Sequence, residues 1–524
     1  MKKIVIIFLT VITLFSALLS CTSELEEVNK NPNSPTVVPA YGLFSGANKF
    51  LMDATRGDFS SGRMALPWVQ YSAQRNYTEE DRFQFREGVN QSLYRDYYLA
   101  ANDYKSIIDF NTNPETKEQN AEFGNNDNQI AAARVMLSYV FLQLVDSYGD
   151  VPYYSFGNKD PDFQALQLEG GIIKPKFASQ IKIYTDLMKE LKEASEMIVI
   201  GEDVFTKGDL LFGNAAKLKK FANSLRLRIA NRVKGVVPGA EANITDAIAS
   251  GVMTSNTDNV GVTYQADEVF PSPFYTSFYV SNRTDFAIAN TFVDLLKGEL
   301  GTFGVDPRLQ KYAAPTTASK AAVRANTYLE TSDLTKYEGM TFGIPSSLAA
   351  SQRSNTSFWS SNVLKQDYKE LFMEYAEVEF LLSENTAWNN TNYQNGVRAS
   401  MERWGVDPSS ITTYIGTLAP ANKANVLTQK YIGLFMQPYE AWAEHRRTGY
   451  PNTLLKPGGT YPLRTALPSG ATTYVFESLN NLTEMPTRFT YPVNLAQLNG
   501  NNYQAAVTAL GGDLLTTKLI WDKN

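Results

Sequence analysis

The sequence predicts an all-α (mainly α) fold. Apolar residues recur at three- and four-residue spacings in one segment after another, glycines stand where several of these segments end, and the stretches between them are long, polar and rich in aromatic rings. The first stripe runs from Leu93 to Phe110. The clearest lies in Gln129 to Tyr148, where Ile130, Ala133, Leu137, Val140, Phe141, Leu144 and Tyr148 mark one buried face that stops at Gly149. Similar stripes follow in Phe177 to Met197, in Ala215 to Val233 with Gly235 beyond it, in Leu371 to Trp388, and in Val426 to His445 before Gly449. Many helices in succession suggest stacked antiparallel pairs, although no strict repeat recurs at a fixed period. Length alone would allow about three domains. No Pro/Gly/Ser-rich linker divides the chain, however, and residues 41–524 read as one unit.

The amino terminus carries a different signal. Lys2 and Lys3 precede an apolar run from Ile4 to Leu19 that ends in Leu18-Leu19-Ser20-Cys21, the pattern of a secretory signal over residues 1–20. About 17 apolar residues is also the lower limit for a membrane-spanning helix. Cys21, the only cysteine in the sequence, decides between the two, because it stands where a bacterial lipoprotein signal places the residue that is lipidated. Several acyl chains would then hold the protein on its membrane. Residues 21–40 form a linker, acidic at Glu24, Glu26 and Glu27, which resembles export signals of surface lipoproteins and would equally serve as a solvated spacer. After Leu19 no apolar stretch is expected to approach the length of a membrane span.

Composition excludes other classes. With 43% apolar and 12% aromatic residues the chain can bury a large core. Loss of Lys2 and Lys3 leaves 46 basic against 54 acidic residues, a charge of −8, and no Lys- or Arg-rich tract exists, so nucleic acid is excluded as a partner. With Cys21 lipidated no disulfide is expected, and stability must come from packing.

The ring-rich stretches suggest a binding surface. Pro67 to Phe85 carries Trp68, Tyr71 and Tyr77 among Gln74 and Asn76; Phe270 to Arg283 carries Tyr275 and Tyr279 beside Asn282 and Arg283; Gly339 to Asn362 is rich in Ser and Asn and holds Trp359. A sugar packs its C–H face on a π surface while its hydroxyls seek planar amide and guanidinium groups. Trp68, Tyr71, Tyr77, Tyr275, Tyr279 and Trp359 are therefore candidate stacking rings, and Gln74, Asn76, Asn282 and Arg283 candidate hydrogen-bonding groups. The same set would hold a peptide, and any one ring could instead pack its loop onto the helices.

Catalysis finds little support. His445 is the only histidine, which excludes a clustered His metal site and leaves one candidate base for a Ser-His-Asp triad, and beside Arg446 and Arg447 it reads as an exposed or ion-paired surface residue. No phosphate-binding glycine motif occurs, and no cofactor is expected. A glycan or peptide hydrolase remains the alternative, since a glycosidase needs only two carboxylates about 5–10 Å apart. Glu374, Glu377 and Glu379 form the densest acid cluster.

Seven blocks in order resemble the SusD/RagB family: Glu27 to Thr36; Ala133 to Tyr153; Lys219 to Arg228; Asp306-Pro307-Arg308-Leu309; Glu374 to Leu381; Glu440 to Pro451; and Arg488 to Pro492 with a closing Trp521-Asp522. One departure is Asn494 to Asn499, where the family usually places a glutamate before an asparagine. The resemblance implies a scaffold of four tetratricopeptide-like helix pairs carrying long ligand-binding loops. It also implies a lipoprotein on the outer membrane, exposed at the cell surface, that delivers oligosaccharide or peptide to a SusC-like TonB-dependent barrel. No family motif carries a ligand residue across.

Overall fold

The computed structural model of the chain describes residues 39–522. The expected signal, Cys21, the acidic stretch and the Glu27 to Thr36 block lie outside the described residues. Helices of ten or more residues are labelled in chain order: α1 Ala40–Arg56, α2 Glu87–Thr112, α3 Asn126–Tyr148, α4 Gln180–Met197, α5 Ala215–Arg232, α6 Ala240–Ala249, α7 Tyr375–Asn385, α8 Asn390–Arg403, α9 Pro408–Thr417, α10 Lys423–Gly433, α11 Pro438–Thr448 and α12 Gly500–Leu510. Short side-chain caps start many of them. The side chains of Asn125, Ser179, Asn214, Asn389 and Asn422 accept from backbone N–H groups of the first turn, and Asp407 does so before Pro408. Gly149 and Gly449 end α3 and α11 at φ 86° and 78°, a conformation glycine adopts without strain.

Neighbours in sequence are neighbours in space: α1 packs on α2, α2 on α3, α3 on α4, α4 on α5 and α5 on α6, while α7 packs on α8 and α10 and meets α5. The mainly α architecture and the succession of packed helices follow the expectation. One expectation does not hold, because α3 is long and apolar enough to cross a membrane. Its apolar window is 100% buried inside the protein, which makes it the central core helix.

Two predicted helices are interrupted. In Val426 to His445 the chain breaks between α10 and α11, where Met436 takes φ 69° and Pro438, lacking an N–H, can only begin a new helix. In Leu371 to Trp388 the first residues form a strand, β4 Lys369–Met373, antiparallel to β2 Val260–Thr263 with Gly261 opposite Leu371. A short apolar run reads alike for a buried strand and a helix, so periodicity could not separate them. Two further antiparallel pairs exist among the described residues, β1 Ser72–Gln74 with β3 Phe286–Ile288, and β5 Thr460–Pro462 with β6 Thr473–Val475.

The sequence blocks converge in a buried ionic network. Arg228 of α5 forks onto Glu377 of α7 at 2.7 and 2.5 Å; Arg232 meets Asp146 of α3 at 2.7 Å and also Glu440 of α11; Lys430 of α10 reaches Glu444 at 2.9 Å. Burial works against the guanidinium charges of Arg228 and Arg232, but the facing carboxylates outweigh it and hold both pKa values above the ordinary range. Arg308 is tied likewise to Asp306 at 2.6 Å and to Ser400 at 2.9 Å. Arg446 lies over the rings of Trp442 and Trp521, and Arg488 reaches Asp513 at 2.6 Å. These residues fasten helices distant in sequence, which is a scaffold role.

Candidate ligand-binding face

The pairing of β1 with β3 sets Gln74 opposite Phe286 and so draws the segment after Trp68 against the segment after Phe270. The third ring-rich stretch joins them through the ring of Trp359, 5.0 Å from that of Phe274, and through the ring of Phe358, 5.6 Å from that of Phe278. Three loops far apart in sequence thus make one face.

The ten candidate residues divide on this framework. Trp68, Tyr71, Gln74 and Trp359 are at most 1% exposed and belong to the core, a correction to their reading as ligand contacts. Trp68 sits edge-on to Trp442 and Phe489 at 5.2 and 5.3 Å, and Trp359 packs against Phe274 at 5.0 Å. Tyr71 stacks on Tyr431 at 4.6 Å and donates its hydroxyl to the Tyr431 carbonyl. Gln74 donates to the Gly62 carbonyl at 3.2 Å. These rings and this amide pack into the core and hold the loops down.

The remaining six lie outward of these anchors, five of them at least partly exposed and Tyr275 buried. Tyr77 is 59% exposed. Asn76 donates to Asp285 at 2.9 Å and accepts from Arg353. Tyr275 and Tyr279 are 5.1 Å apart on the short helical turn after Ser272, whose hydroxyl accepts from the Tyr275 N–H. Tyr275 is buried but its hydroxyl accepts from Arg324 at 3.0 Å; the half-buried Tyr279 hydroxyl has no hydrogen-bond partner among the described residues, and burial pushes its pKa up. Asn282 takes φ 53° and accepts from Lys320 at 2.6 Å. Arg283 faces Asp285 at 3.4 Å.

Cations lie over these rings. Arg75 covers Phe358 at 4.8 Å, Lys320 covers Phe278 at 5.1 Å, Arg324 covers Tyr279 at 5.4 Å, and Arg63 covers the exposed Phe59 at 4.8 Å. Sequence reasoning left Lys320 and Arg324 out. Their four-residue spacing on the short helix Lys320–Ala325 was the available signal, but nothing in the sequence placed that helix beside Tyr279.

His445 is half-buried at a pocket of about 310 Å³ with its Nδ1 3.2 Å from the Tyr450 carbonyl, and burial pushes its pKa down to about 4. It is therefore neutral near pH 7 and not the exposed surface residue expected. The acid cluster is built into the scaffold as well: Glu377 is held by Arg228, Glu379 accepts from Tyr375 at 2.5 Å and Asn392 at 2.7 Å, and Glu374 accepts from Gln437 at 2.8 Å. Burial raises Glu374 to about 7. Asn494 caps a short helix, Leu495–Leu498, without a side-chain cap bond, so the departure noted there costs the chain only that local bond.

Comparison with solved structures finds the same fold. A chitin-binding protein superposes with a TM-score of 0.71 at 24% identity, covering 92% of this chain and 100% of its own. A SusD homolog from Parabacteroides distasonis gives 0.71 at 21% identity over 93% and 98% of the two chains. A chitin-binding SusD homolog from Flavobacterium johnsoniae gives 0.68 at 21% identity over 93% and 98%. A comparison with curated protein sequences finds no match. The family model described as starch-binding and associating with the outer membrane matches residues 32–492, and the chain belongs to this SusD-like family.

Proposed function

We propose that the protein is a surface lipoprotein that captures oligosaccharide on the ring-and-cation face and passes it to a SusC-like TonB-dependent outer-membrane barrel. The assembled face carries this reading: exposed Tyr77, half-buried Tyr279 and Phe358, the amides of Asn76 and Asn282, and the guanidinium groups of Arg75, Arg283 and Arg324 offer π surface beside planar donors, the pairing a saccharide requires. Membership of a starch-binding family and the likeness to two chitin-binding proteins support a glycan over a peptide. The Leu-Leu-Ser-Cys sequence ending at Cys21 supports the lipid anchor, and the match to a family associating with the outer membrane supports the location.

Binding is proposed to occur without cleavage. The densest acids serve ion pairs and hydrogen bonds between helices, and a hydrolase needs an acid and a base or nucleophile around the scissile bond. Calorimetric titration of the purified protein with malto- and chito-oligosaccharides, with product analysis of the same samples, tests this reading. Intact ligand bound with modest affinity is expected, and a β-barrel should co-purify from outer membranes in mild detergent. Product release abolished by one carboxylate substitution would overturn it, as would the absence of binding to any glycan.

A further inference from the structure

A second concave site lies where β4 meets the end of α8. It is a pocket of about 300 Å³, near the lower end of the range for small-ligand sites, and of its lining residues Asn362 alone comes from the ring-rich stretches, at the end of one of them. Lys365, Lys369 and Arg403 line it together with Tyr368, Trp404 and Asn259, and no carboxylate does. The compensating acids stand to the side: Asp367 is 3.8 Å from Lys365 on the exposed rim, and Glu374 is 3.6 Å from the Arg403 Nε.

The cations are not used up by these neighbours. Arg403 donates to the Tyr368 hydroxyl at 3.2 Å, yet its buried Nη1 has no hydrogen-bond partner among the described residues. Trp404 is 7% exposed, and its indole Nε1, a donor only, likewise has none. Lys369 reaches just the Asn259 carbonyl, at 3.2 Å. Burial, with Lys217 and Arg403 as like-charged neighbours, pushes the Lys369 pKa down to about 8, a cost that a bound anion would relieve. Leaving buried donors unpaired is expensive, and a ligand offering several acceptor oxygens would satisfy them together.

We propose that this pocket binds a compact acid group, the carboxylate of an acidic monosaccharide or a free sulfate, with Lys365 and Lys369 supplying charge and Arg403 and Trp404 supplying N–H donors. The segment is also tied to the ring face, since Ser272, which caps the turn bearing Tyr275, donates its hydroxyl to the Lys365 carbonyl at 2.8 Å.

The test is calorimetric titration of the purified full chain with glucuronate, sodium sulfate and glucose. Glucuronate and sulfate should compete for one site, and glucose should not displace either. Tighter binding of glucuronate would identify the acid as part of a sugar, and tighter binding of sulfate would identify a free oxyanion site. Lys365→Gln with Lys369→Gln should weaken both by at least about tenfold, the fold-change of one lost charge-assisted hydrogen bond, whereas Tyr77→Ala should leave them unchanged. Should the double variant fail to fold, Lys365→Gln alone, on the exposed rim, should still weaken binding. Absence of binding at millimolar concentration, equal binding of glucose, or unchanged affinity in the folded lysine variants would overturn the assignment without touching the ring-face reading.

Discussion

Substituting rings from the two environments separates ligand contact from loop anchoring. Tyr77→Ala with Tyr279→Ala removes an exposed ring and a half-buried ring from the proposed face. Each lost stacking contact is worth about 0.5–1.5 kcal/mol, so the double variant should weaken oligosaccharide binding by about 5- to 150-fold at about 1.4 kcal/mol per tenfold. Its own stability should fall little, because Tyr77 is open to solvent and the half-buried Tyr279 gives up ring contacts with Tyr275 and Phe278, each at 5.1 Å, and the cations Lys320 and Arg324 over its face. Trp359→Ala behaves in the opposite sense. Trp359 is 1% exposed against Phe274 and Phe286, and truncating a buried tryptophan costs about 3–5 kcal/mol. Unfolding entropy of about 2.1 cal/mol/K per residue gives roughly 1 kcal/mol/K for a chain of this size, so Tm should drop by about 3–5 °C if the chain melts as one unit. Paired titration and scanning calorimetry would read both quantities. Unchanged affinity in the folded tyrosine double variant, or lost affinity with unchanged Tm in Trp359→Ala, would refute the division of rings drawn above.

Three further outcomes follow from the scaffold. Arg232→Met leaves Asp146, Glu440 and Glu444 facing one another in the interior and should cost about 3–5 kcal/mol in urea unfolding, whereas Lys182→Met, at a surface cluster with Asp160 and Asp162, should cost about 1 kcal/mol or less. For His445 the folded pKa is depressed to about 4 by burial, so the unfolded chain binds more protons between there and its ordinary value of 6.5; relative to His445→Gln, the natural protein should lose stability as pH falls through that window, and parallel unfolding curves would contradict it. Glu374 has the reverse sign. Burial raises its carboxyl from 4.5 to about 7, so relative to Glu374→Gln the natural protein should lose stability as pH rises between those values, and a pH-independent difference would refute the burial argument.

The helices were legible because their signals are local. The stripe from Ile130 to Tyr148, the Asn and Ser caps and the closing glycines act within a few residues, and α2 to α5 lie where periodicity placed them. The misreadings occur where partners distant in sequence decide. Leu371 is a strand residue because Gly261, more than a hundred positions earlier, pairs with it, and the α10–α11 break turns on Pro438, which an apolar stripe does not register.

The ligand face was legible as composition and illegible as geometry, and the reason is the amphipathic character of aromatic side chains. A tryptophan in a polar loop is equally suited to bind a sugar and to nail that loop to a helix, because both uses bury the ring against C–H groups. Trp68 and Trp359 took the second role as their loops close on Trp442 and Phe274. Of the rings left accessible, those of Phe358 and Tyr279 lie under cations and that of Tyr77 is open to solvent, and the partners Lys320 and Arg324 arrive from a helix that no local pattern ties to Tyr279. Loop rings sort into anchors and contacts only through tertiary closure. The anchors fix where the face lies, so the accessible rings beside them can be exchanged without disturbing the scaffold beneath.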